Sequence, residues 1–133
     1  TAEMVCGNKK LSISDKTVSQ TIQVDPEIVL QVFENLLSNA ARYAKATITV
    51  QYAAIHDIFS ITVTDDGKGF DDTALKSATN PFYTTEKKVD SGPHLGLGLN
   101  ICKILCERHN GSIVLSNEAT SGASVTVCFG MIE

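Results

Sequence analysis

The clearest pattern in the chain follows Asp25, where apolar residues recur every three or four positions up to about Ala44. This is the spacing of one face of an α-helix, and it predicts a helix that buries one broad side. Asp25 can accept hydrogen bonds from the first free amides, and Pro26 suits the first helical position. The sequence therefore predicts a helix over about 25–44.

Strict alternation of apolar and polar residues replaces the helical pattern at 47–52 and again at 59–64. Alternation of this kind predicts two half-buried strands, and the short connection at 53–57 predicts that they form an antiparallel hairpin. Residues 11–24 are rich in Ser, Thr and Ile and predict two short strands or an edge hairpin. The last strand pair is predicted at 112–115 and 124–129.

A second helix is predicted over 99–109. Asn110 and Gly111 mark its end, because both residues tolerate the left-handed backbone found there. Residues 66–95 carry glycines and prolines and show no sustained period. So long a connection in a compact domain is usually functional or mobile. The segment is therefore a candidate ligand lid, and the alternative is a disordered insertion.

Composition excludes several classes of function. The chain has 133 residues, 43% of them apolar and 20% charged, which suits one compact soluble domain. Its net charge is −4, and its basic residues form no run or stripe of the kind that binds nucleic acid. No apolar stretch approaches the roughly 18 residues of a membrane span, and residues 1–10 do not have the order of a signal peptide.

The four cysteines, at positions 6, 102, 106 and 128, do not show C-x-x-C spacing. Cys102 and Cys106 are one helical turn apart, which also fits half of a metal site. Scattered cysteines of this kind are more typical of small core residues in a reduced protein. We interpret them as core residues.

Polar residues border the apolar face of the first predicted helix. Asn35, Asn39, Arg42 and Tyr43 lie at i, i+4, i+7 and i+8 and share one stripe. The stripe fits a solvated flank as well as a binding site. An asparagine carbonyl is a suitable neutral ligand for Mg²⁺, which completes its shell with water and phosphate oxygens. Asn39 is the candidate for that ligand.

Two glycine motifs fit contacts with a nucleotide. The sequence D-D-G-K-G at 65–69 follows a predicted strand, where a buried carboxylate can accept a hydrogen bond from adenine and glycines let the backbone approach a flat ring. The sequence G-L-G-L at 96–99 leads into the second helix, whose free amides and dipole favour phosphate. Each motif alone also fits an ordinary turn or helix start.

The long connection contains the sequence N-P-F-Y-T-T-E-K-K at 80–88. Its two threonine hydroxyls and two lysine ammonium groups are suited to binding and neutralising a triphosphate. A solvated charged loop has a similar composition. The segment therefore supports the hypothesis of triphosphate binding only in combination with the motifs around it.

Taken in order, these motifs resemble the histidine-kinase branch of the Bergerat-fold ATPases over nearly the whole chain. Residues 33–43, FENLLSNAARY, look like the family's asparagine box, and residues 95–99, LGLGL, look like its second glycine box. The resemblance implies an α+β two-layer sandwich. A mixed, mostly antiparallel sheet of about five strands would be covered on one face by about three helices.

The resemblance also implies roles for single residues. Asn39 would bind Mg²⁺, and Asp65 would bind the adenine amino group of ATP. Gly67 and Gly69 would shape the adenine pocket. The other implied nucleotide contacts are Asn35, Arg42, Tyr43, Phe82, Thr84, Thr85, Lys87, Lys88 and the backbone amides of Gly96, Leu97, Gly98 and Leu99.

Three positions depart from the family pattern. Arg42 stands where relatives commonly carry lysine, which keeps the charge but offers a planar fork. His94 stands where a further glycine often precedes the second box, which predicts a stiffer hinge. Glu86 separates the threonines from the lysines, so either lysine could be the one that meets the phosphates.

The position of Asn35 distinguishes transfer from hydrolysis. Related ATP-hydrolysing proteins, and the serine-kinase anti-sigma factors, carry a glutamate there, and the glutamate activates water in the hydrolases. Glu34 is the nearest carboxylate here, but five residues from Asn39 it points about 140° away around the helix. The resemblance therefore implies phosphoryl transfer to a histidine, and Asn35 is a candidate catalytic residue that orients the acceptor ring.

The acceptor histidine is not expected within this chain. His56 is followed by an acid but falls in a predicted turn, His94 lies in the long connection, and His109 ends a helix. We interpret the 133 residues as one domain of a longer cytoplasmic or membrane-bound kinase and expect this piece to be monomeric. The implied partners are a histidine-bearing dimerisation domain of the same receptor and a response regulator. The alternatives are a regulatory nucleotide-binding module that transfers nothing and an ATP-hydrolysing module.

Overall fold

The computed structural model describes residues 2–6, 9–15, 23–80, 98–119 and 122–130. Six strands and three helices lie within these ranges. In chain order they are β1 (Ala2–Cys6), β2 (Lys9–Asp15), α1 (Pro26–Tyr43), β3 (Thr47–Ile55), β4 (Ile58–Asp65), α2 (Asp72–Ser77), α3 (Gly98–Arg108), β5 (Ser112–Asn117) and β6 (Ala123–Gly130).

The six strands form one sheet in the order β1-β2-β3-β4-β6-β5. β2 and β3 are parallel, and every other neighbouring pair is antiparallel. A parallel pair needs a crossover connection, and α1 lies in the chain between β2 and β3. The prediction of a mixed, mostly antiparallel sheet is confirmed, with six strands where about five were expected.

Of the two strands predicted within 11–24, one is found as β2, which begins two residues earlier than expected. β2 begins at Lys9, and its hairpin partner β1 precedes it. The apolar residues Leu11 and Ile13 pair with Ile48 and Val50, so β2 is held by β3 as well as by β1. Residues 16–22 lie outside the described part of the chain.

Helix α1 begins as the sequence predicted. The Asp25 carboxylate accepts hydrogen bonds from the backbone N–H groups of Glu27 (3.0 Å) and Ile28 (3.4 Å), and Pro26 occupies the first turn. Such a cap stabilises a helix by roughly 1 kcal/mol. The helix ends at Tyr43, and the Ala44 N–H still donates to the Ala40 carbonyl at 2.8 Å.

The β3–β4 hairpin turns on two residues with positive φ, His56 at 53° and Asp57 at 63°. Two such residues are typical of a type I′ turn, whose twist matches the twist of antiparallel strands. The hairpin fixes the register of the sheet's centre, where Val50 pairs with Val63 and Ile48 with Asp65. It therefore brings Asp65 to the end of β4 that lies beside the start of β3.

One face of the sheet forms the core with the helices. Alternate sheet residues lie beneath buried residues of α1 and α3, and the cluster includes Ile48, Val50, Ile61, Val63, Val125, Val127, Phe129, Val32, Leu36, Ala40, Leu99, Cys102 and Cys106. The opposite face carries hydroxyl pairs, Thr62 with Thr126 at 3.0 Å and Thr64 with Ser124 at 3.1 Å. This confirms the prediction of a two-layer sandwich.

His109 joins the two long helices to the sheet. It is 2% exposed, its Nε2 accepts from the Asp25 N–H at 2.9 Å, and its Nδ1 is 2.7 Å from the Gly130 carbonyl. Because the Asp25 N–H must donate, Nε2 is the acceptor and Nδ1 carries the proton that binds Gly130. The end of α3 is thus fixed to the start of α1, and the two helices run antiparallel.

A short helix occupies part of the segment that was predicted to have no regular structure. α2 begins after Asp71, whose carboxylate accepts from the Ala74 N–H at 2.7 Å. Its single buried residue, Ala74, gives too little periodicity for a pattern to register. None of the helices within the described ranges is both long and apolar enough to cross a membrane.

Candidate functional site

The site is built where α1 ends and where β4 ends. Asp65 is the last residue of β4 and is 7% exposed. Its Oδ1 accepts from the Gly67 N–H at 2.8 Å and from the Ala123 N–H at 3.4 Å. These two amides, one from the following turn and one from β6, fix the orientation of the carboxylate.

Gly67 lies directly against the last residue of α1. A Cβ at position 67 would collide with the Tyr43 carbonyl oxygen and lie 2.9 Å from Asp65 Oδ1. Glycine at 67 therefore allows the turn after β4 to approach α1 as closely as it does. Gly69 adopts a φ of 82°, in the left-handed region that glycine enters without strain.

Asp66 fastens the same turn to the connection between α1 and β3. Its Oδ1 accepts from the N–H groups of Lys45 (2.8 Å) and Ala46 (3.0 Å), and its own N–H donates to the Thr47 carbonyl at 3.3 Å. Burial opposes ionisation of Asp66, but the backbone N–H groups of Ala46, Thr47 and Lys45 together outweigh it and lower its pKa below 3.8. Asp66 is thus an ionised side chain that holds the turn after β4 against the residues that follow α1.

The lowered pKa of Asp66 predicts a loss of stability in acid. A carboxyl group with a lower pKa in the folded state contributes stability that is complete above pH 3.8 and is lost as the pH falls through the folded pKa. Asp66→Asn should therefore lower the unfolding free energy at pH 7 by about 1 kcal/mol or less, since the site is partly solvated, and should flatten the decline below pH 3.8. Urea unfolding from pH 7 to pH 3 measures this.

Asp72→Asn is the matched control for the Asp66 variant, because Asp72 is an exposed acid in the first turn of α2. It should leave the acid decline as steep as in the unaltered protein. An equally steep decline for Asp66→Asn would show that Asp66 is not the group responsible.

The last turns of α1 carry three of the predicted site residues. Arg42 Nη2 donates to Asn39 Oδ1 at 3.3 Å, and the Arg42 guanidinium carbon lies 5.1 Å from the centre of the Tyr43 ring. Asn39, Arg42 and Tyr43 are all partly buried and are brought together by helical spacing. The backbone of Tyr43 also meets Gly67, so this cluster adjoins the turn after Asp65.

Asn35 faces helix α3. Its side chain lies beside the thiol of Cys102, which donates to the Val32 carbonyl at 3.7 Å. Burial raises the pKa of the Cys102 and Cys106 thiols to about 12, and both cysteines are free core residues, as predicted. Asn35 is therefore a polar link between α1 and α3, and Glu34 beside it is exposed.

Helix α3 begins at Gly98, which is exposed, and a Cβ there would have no atom of the described residues within 4 Å. Leu99 is 8% exposed and packs into the core. The predicted contacts Phe82, Thr84, Thr85, Lys87, Lys88, Gly96 and Leu97 lie outside the described residues, as do Glu86 and His94.

Two supporting residues were missed by sequence reasoning. Asn117, at the end of β5, accepts from the Phe70 N–H at 2.7 Å and donates to the Phe70 carbonyl at 2.8 Å. Gly122 has a φ of 108°, and a Cβ there would collide with the Asp65 carbonyl. No local signal in the sequence pointed to partners so distant along the chain.

Comparison with known proteins places this arrangement in a family. Residues 24–132 match the family described as histidine kinase-, DNA gyrase B- and HSP90-like ATPases. The chain is 34% identical over 125 residues to sensor histidine kinase SpaK of Bacillus subtilis, covering 91% of this chain and 27% of SpaK. It is 33% identical over 114 residues to the signal transduction histidine-protein kinase BaeS of Escherichia coli, covering 82% of this chain and 24% of BaeS. It thus spans about a quarter of these relatives.

Two solved structures share the fold. The catalytic domain of histidine kinase ThkA superposes with a TM-score of 0.74 at 22% identity, over 91% of this chain and 79% of that one. Full-length ShkA in complex with AMPPNP superposes with a TM-score of 0.77 at 22% identity, over 92% of this chain and 26% of that one. The chain belongs to the family of histidine kinase-, DNA gyrase B- and HSP90-like ATPases, and the curated relatives named above are sensor histidine kinases.

Proposed function

We propose that this domain binds Mg·ATP and transfers the γ-phosphoryl group to a histidine on a separate dimerisation domain of a two-component sensor kinase. The observation that carries the proposal is the buried Asp65 carboxylate, oriented by two backbone amides beside the cluster of Asn39, Arg42 and Tyr43. A buried carboxylate needs hydrogen-bond donors, and the exocyclic amine of adenine is a suitable one.

The adenine end of the site is assigned to the turn after β4. Asp65 accepts the adenine amino group, and Gly67 and Gly69 let the turn beside it pack closely against α1 and against the β5–β6 connection. Gly67 is already in close contact with Tyr43 and Asp65, and Gly69 has a φ that disfavours other residues. These contacts support a preformed pocket wall that does not need to rearrange when a flat ring enters.

The metal is assigned to Asn39. Its amide oxygen is a neutral ligand of the type that Mg²⁺ accepts, and Mg²⁺ commonly takes its other ligands from substrate phosphates and water. Asn39 Oδ1 already accepts from Arg42 Nη2 at 3.3 Å, so Mg²⁺ would take the other lone pair of the same oxygen, and the guanidinium would add a positive charge beside the phosphates. Bound Mg²⁺ would neutralise phosphate charge during transfer.

The phosphate contacts on the other side of the nucleotide stay predictions. Gly98 begins α3, and the free amides and dipole at the start of a helix favour phosphate. Gly98 and Leu99 would contribute backbone amides, as would Gly96 and Leu97. The proposed lid contacts are Phe82, Thr84, Thr85, Lys87 and Lys88.

Transfer is favoured over hydrolysis by the residues at 34 and 35. Water activation needs a base, and the Asn35 amide cannot accept a proton. Asn35 is also engaged with Cys102 on α3, and Glu34 is exposed on another side of α1. The hypothesis that Asn35 orients the acceptor ring requires that it leave this contact during transfer.

The acceptor is proposed to lie on another domain. His109 is buried with both ring nitrogens engaged, and His56 sits in the turn at the opposite end of β4 from Asp65. In the transfer, the bond between the γ-phosphorus and the bridging oxygen of ATP breaks. A nitrogen–phosphorus bond forms on the acceptor imidazole, which gives up its N–H proton, and ADP leaves. A response regulator would then receive the phosphoryl group.

The test combines this domain with a histidine-bearing dimerisation domain from the same receptor, Mg²⁺ and γ-labelled ATP. We expect acid-labile label on the dimerisation domain, no label when its histidine is replaced by glutamine, and negligible ADP when the acceptor is omitted. Binding of ATP without any transfer would instead indicate a regulatory module. Rapid release of ADP without an acceptor would indicate a hydrolase and would overturn the interpretation of Asn35.

A further inference from the structure

We propose that Asn117 is a positioning residue for the base-binding end of the site and that it contributes to the preference for adenine over guanine. The inference rests on the proposed function, because it concerns how the pocket that would hold adenine is kept in shape. Asn117 is the last residue of β5 and is not among the residues predicted to contact the nucleotide.

The side chain of Asn117 pairs with a backbone as another strand would. Its Oδ1 accepts from the Phe70 N–H at 2.7 Å, and its Nδ2 donates to the Phe70 carbonyl at 2.8 Å, across 47 residues of sequence. Both backbone polar groups of Phe70 are therefore bound by a single side-chain amide. The chain after Gly69 is therefore fixed in position and direction by one residue.

Gly69 itself packs against the same side chain. A Cβ at position 69 would lie 2.8 Å from Asn117 Oδ1 and 3.2 Å from the Gly122 carbonyl. The φ of 82° at Gly69 is a conformation that the chain can leave easily, because glycine has other accessible conformations. Asn117 thus restrains the most adaptable point of the turn.

The other end of the turn is held by the same pair of strands. The Ala123 N–H of β6 donates to Asp65 Oδ1 at 3.4 Å, and the Glu118 N–H donates to the Gly122 carbonyl at 3.0 Å, which closes the β5–β6 connection. The β5–β6 pair therefore touches the turn at Asp65 and again at Phe70. This hairpin, together with the bonds from Asp66 to the α1–β3 connection, therefore holds the Asp65 carboxylate and the two glycines in their relative positions.

Loss of the Asn117 bonds should reduce the fraction of molecules whose pocket has the binding geometry, and the apparent affinity falls with that fraction. Adenine donates to Asp65 through its amino group, whereas guanine presents a carbonyl oxygen at the same place, which a carboxylate repels. The Asp65 carboxylate can discriminate between the two bases only if the base is held in a fixed position relative to it. If the turn after β4 is held less firmly, ATP binding should therefore weaken more than GTP binding.

The experiment measures the dissociation constants of Mg·ATP and Mg·GTP by calorimetry, together with Tm, for Asn117→Ala and Asn117→Asp. Asn117→Ala should weaken ATP binding about tenfold and GTP binding much less, so that the ratio of the two constants falls severalfold. Asn117→Asp keeps the acceptor for the Phe70 N–H but sets a carboxylate oxygen against the Phe70 carbonyl, which it repels, so it should lose at least as much ATP affinity as Asn117→Ala. Ser116→Ala, at the exposed neighbouring position, is the matched control and should match the unaltered protein.

An unchanged GTP-to-ATP ratio in Asn117→Ala, whether or not its Tm is lower, would overturn the positioning role, because a purely structural residue changes the folded fraction and not the base preference. If the unaltered domain binds ATP and Asn117→Ala binds it equally well, this inference fails and the proposed function stands. If the unaltered domain binds no ATP, both fail together.

Discussion

Asp65→Asn is expected to weaken ATP binding about a hundredfold while the fold stays intact. The asparagine Oδ1 can still accept from the N–H groups of Gly67 and Ala123, which hold this side chain at 2.8 Å and 3.4 Å. Its amide nitrogen, however, presents a donor where the adenine amine also donates. Loss of a hydrogen bond to a charged group costs about 1.5–3 kcal/mol, and each 1.4 kcal/mol is a factor of about ten in affinity.

Calorimetry with ATP gives the affinities, and thermal unfolding checks that the Asp65 variant is folded. Asp57→Asn is the matched control, because it makes the same chemical change in the β3–β4 turn, at the far end of β4. It should bind ATP as the unaltered domain does. Retained affinity in a folded Asp65→Asn would mean that this carboxylate does not contact the nucleotide.

Gly67→Ala is expected to abolish nucleotide binding and to lower the unfolding free energy by about 3 kcal/mol. The added methyl group would collide with the Tyr43 carbonyl oxygen and approach Asp65 Oδ1 to 2.9 Å. The first obstacle is backbone at the end of α1, and the second is a carboxylate held by two amides, so neither can move aside cheaply. The strain would separate α1 from the turn and change both halves of the site.

Gly98→Ala is the matched control for stability. A methyl group there has no atom within 4 Å in the described part of the chain, so the unfolding free energy should change by no more than about 0.5 kcal/mol. Urea unfolding and ATP titration of both variants provide the comparison. A Gly67→Ala protein as stable as Gly98→Ala would contradict the close packing of the turn against α1.

Helices and strands could be predicted where the repeat of apolar residues extends over many positions or where the capping and turn residues are specific. Helix α1 has both a cap at Asp25 and repeated apolar residues, and the structure places its bounds within one residue of the prediction. The β3–β4 hairpin could be predicted from alternation alone. Helix α2 could not, because a helix of six residues with one buried side chain, Ala74, leaves almost no pattern.

Strand β1 shows a different limit of prediction from the sequence, which concerns the pairing of strands. β1 is an edge strand whose pairing partner is β2, and the prediction sought both strands between 11 and 24. Register between strands is a tertiary property, set by which apolar residues meet across the sheet. The sequence of β2 alone did not indicate whether its partner comes before it or after it.

The residues of the candidate site likewise fall into those that local sequence predicts and those that only the folded structure brings together. The stripe of Asn39, Arg42 and Tyr43 follows from helical geometry, and the contacts among these residues agree with it. The contacts that support the site are not local: Asp66 binds amides about twenty residues away, and Asn117 binds Phe70 across 47 residues. Such pairs become visible only when the sheet has brought the two segments together.

The central claim, that the site at the ends of α1 and β4 holds Mg·ATP, is tested most directly by calorimetric titration of ATP into the unaltered domain with and without Mg²⁺. We expect saturable binding of one ATP per chain that is markedly tighter in the presence of Mg²⁺, with almost no ADP found afterwards. Absence of binding under both conditions would contradict it.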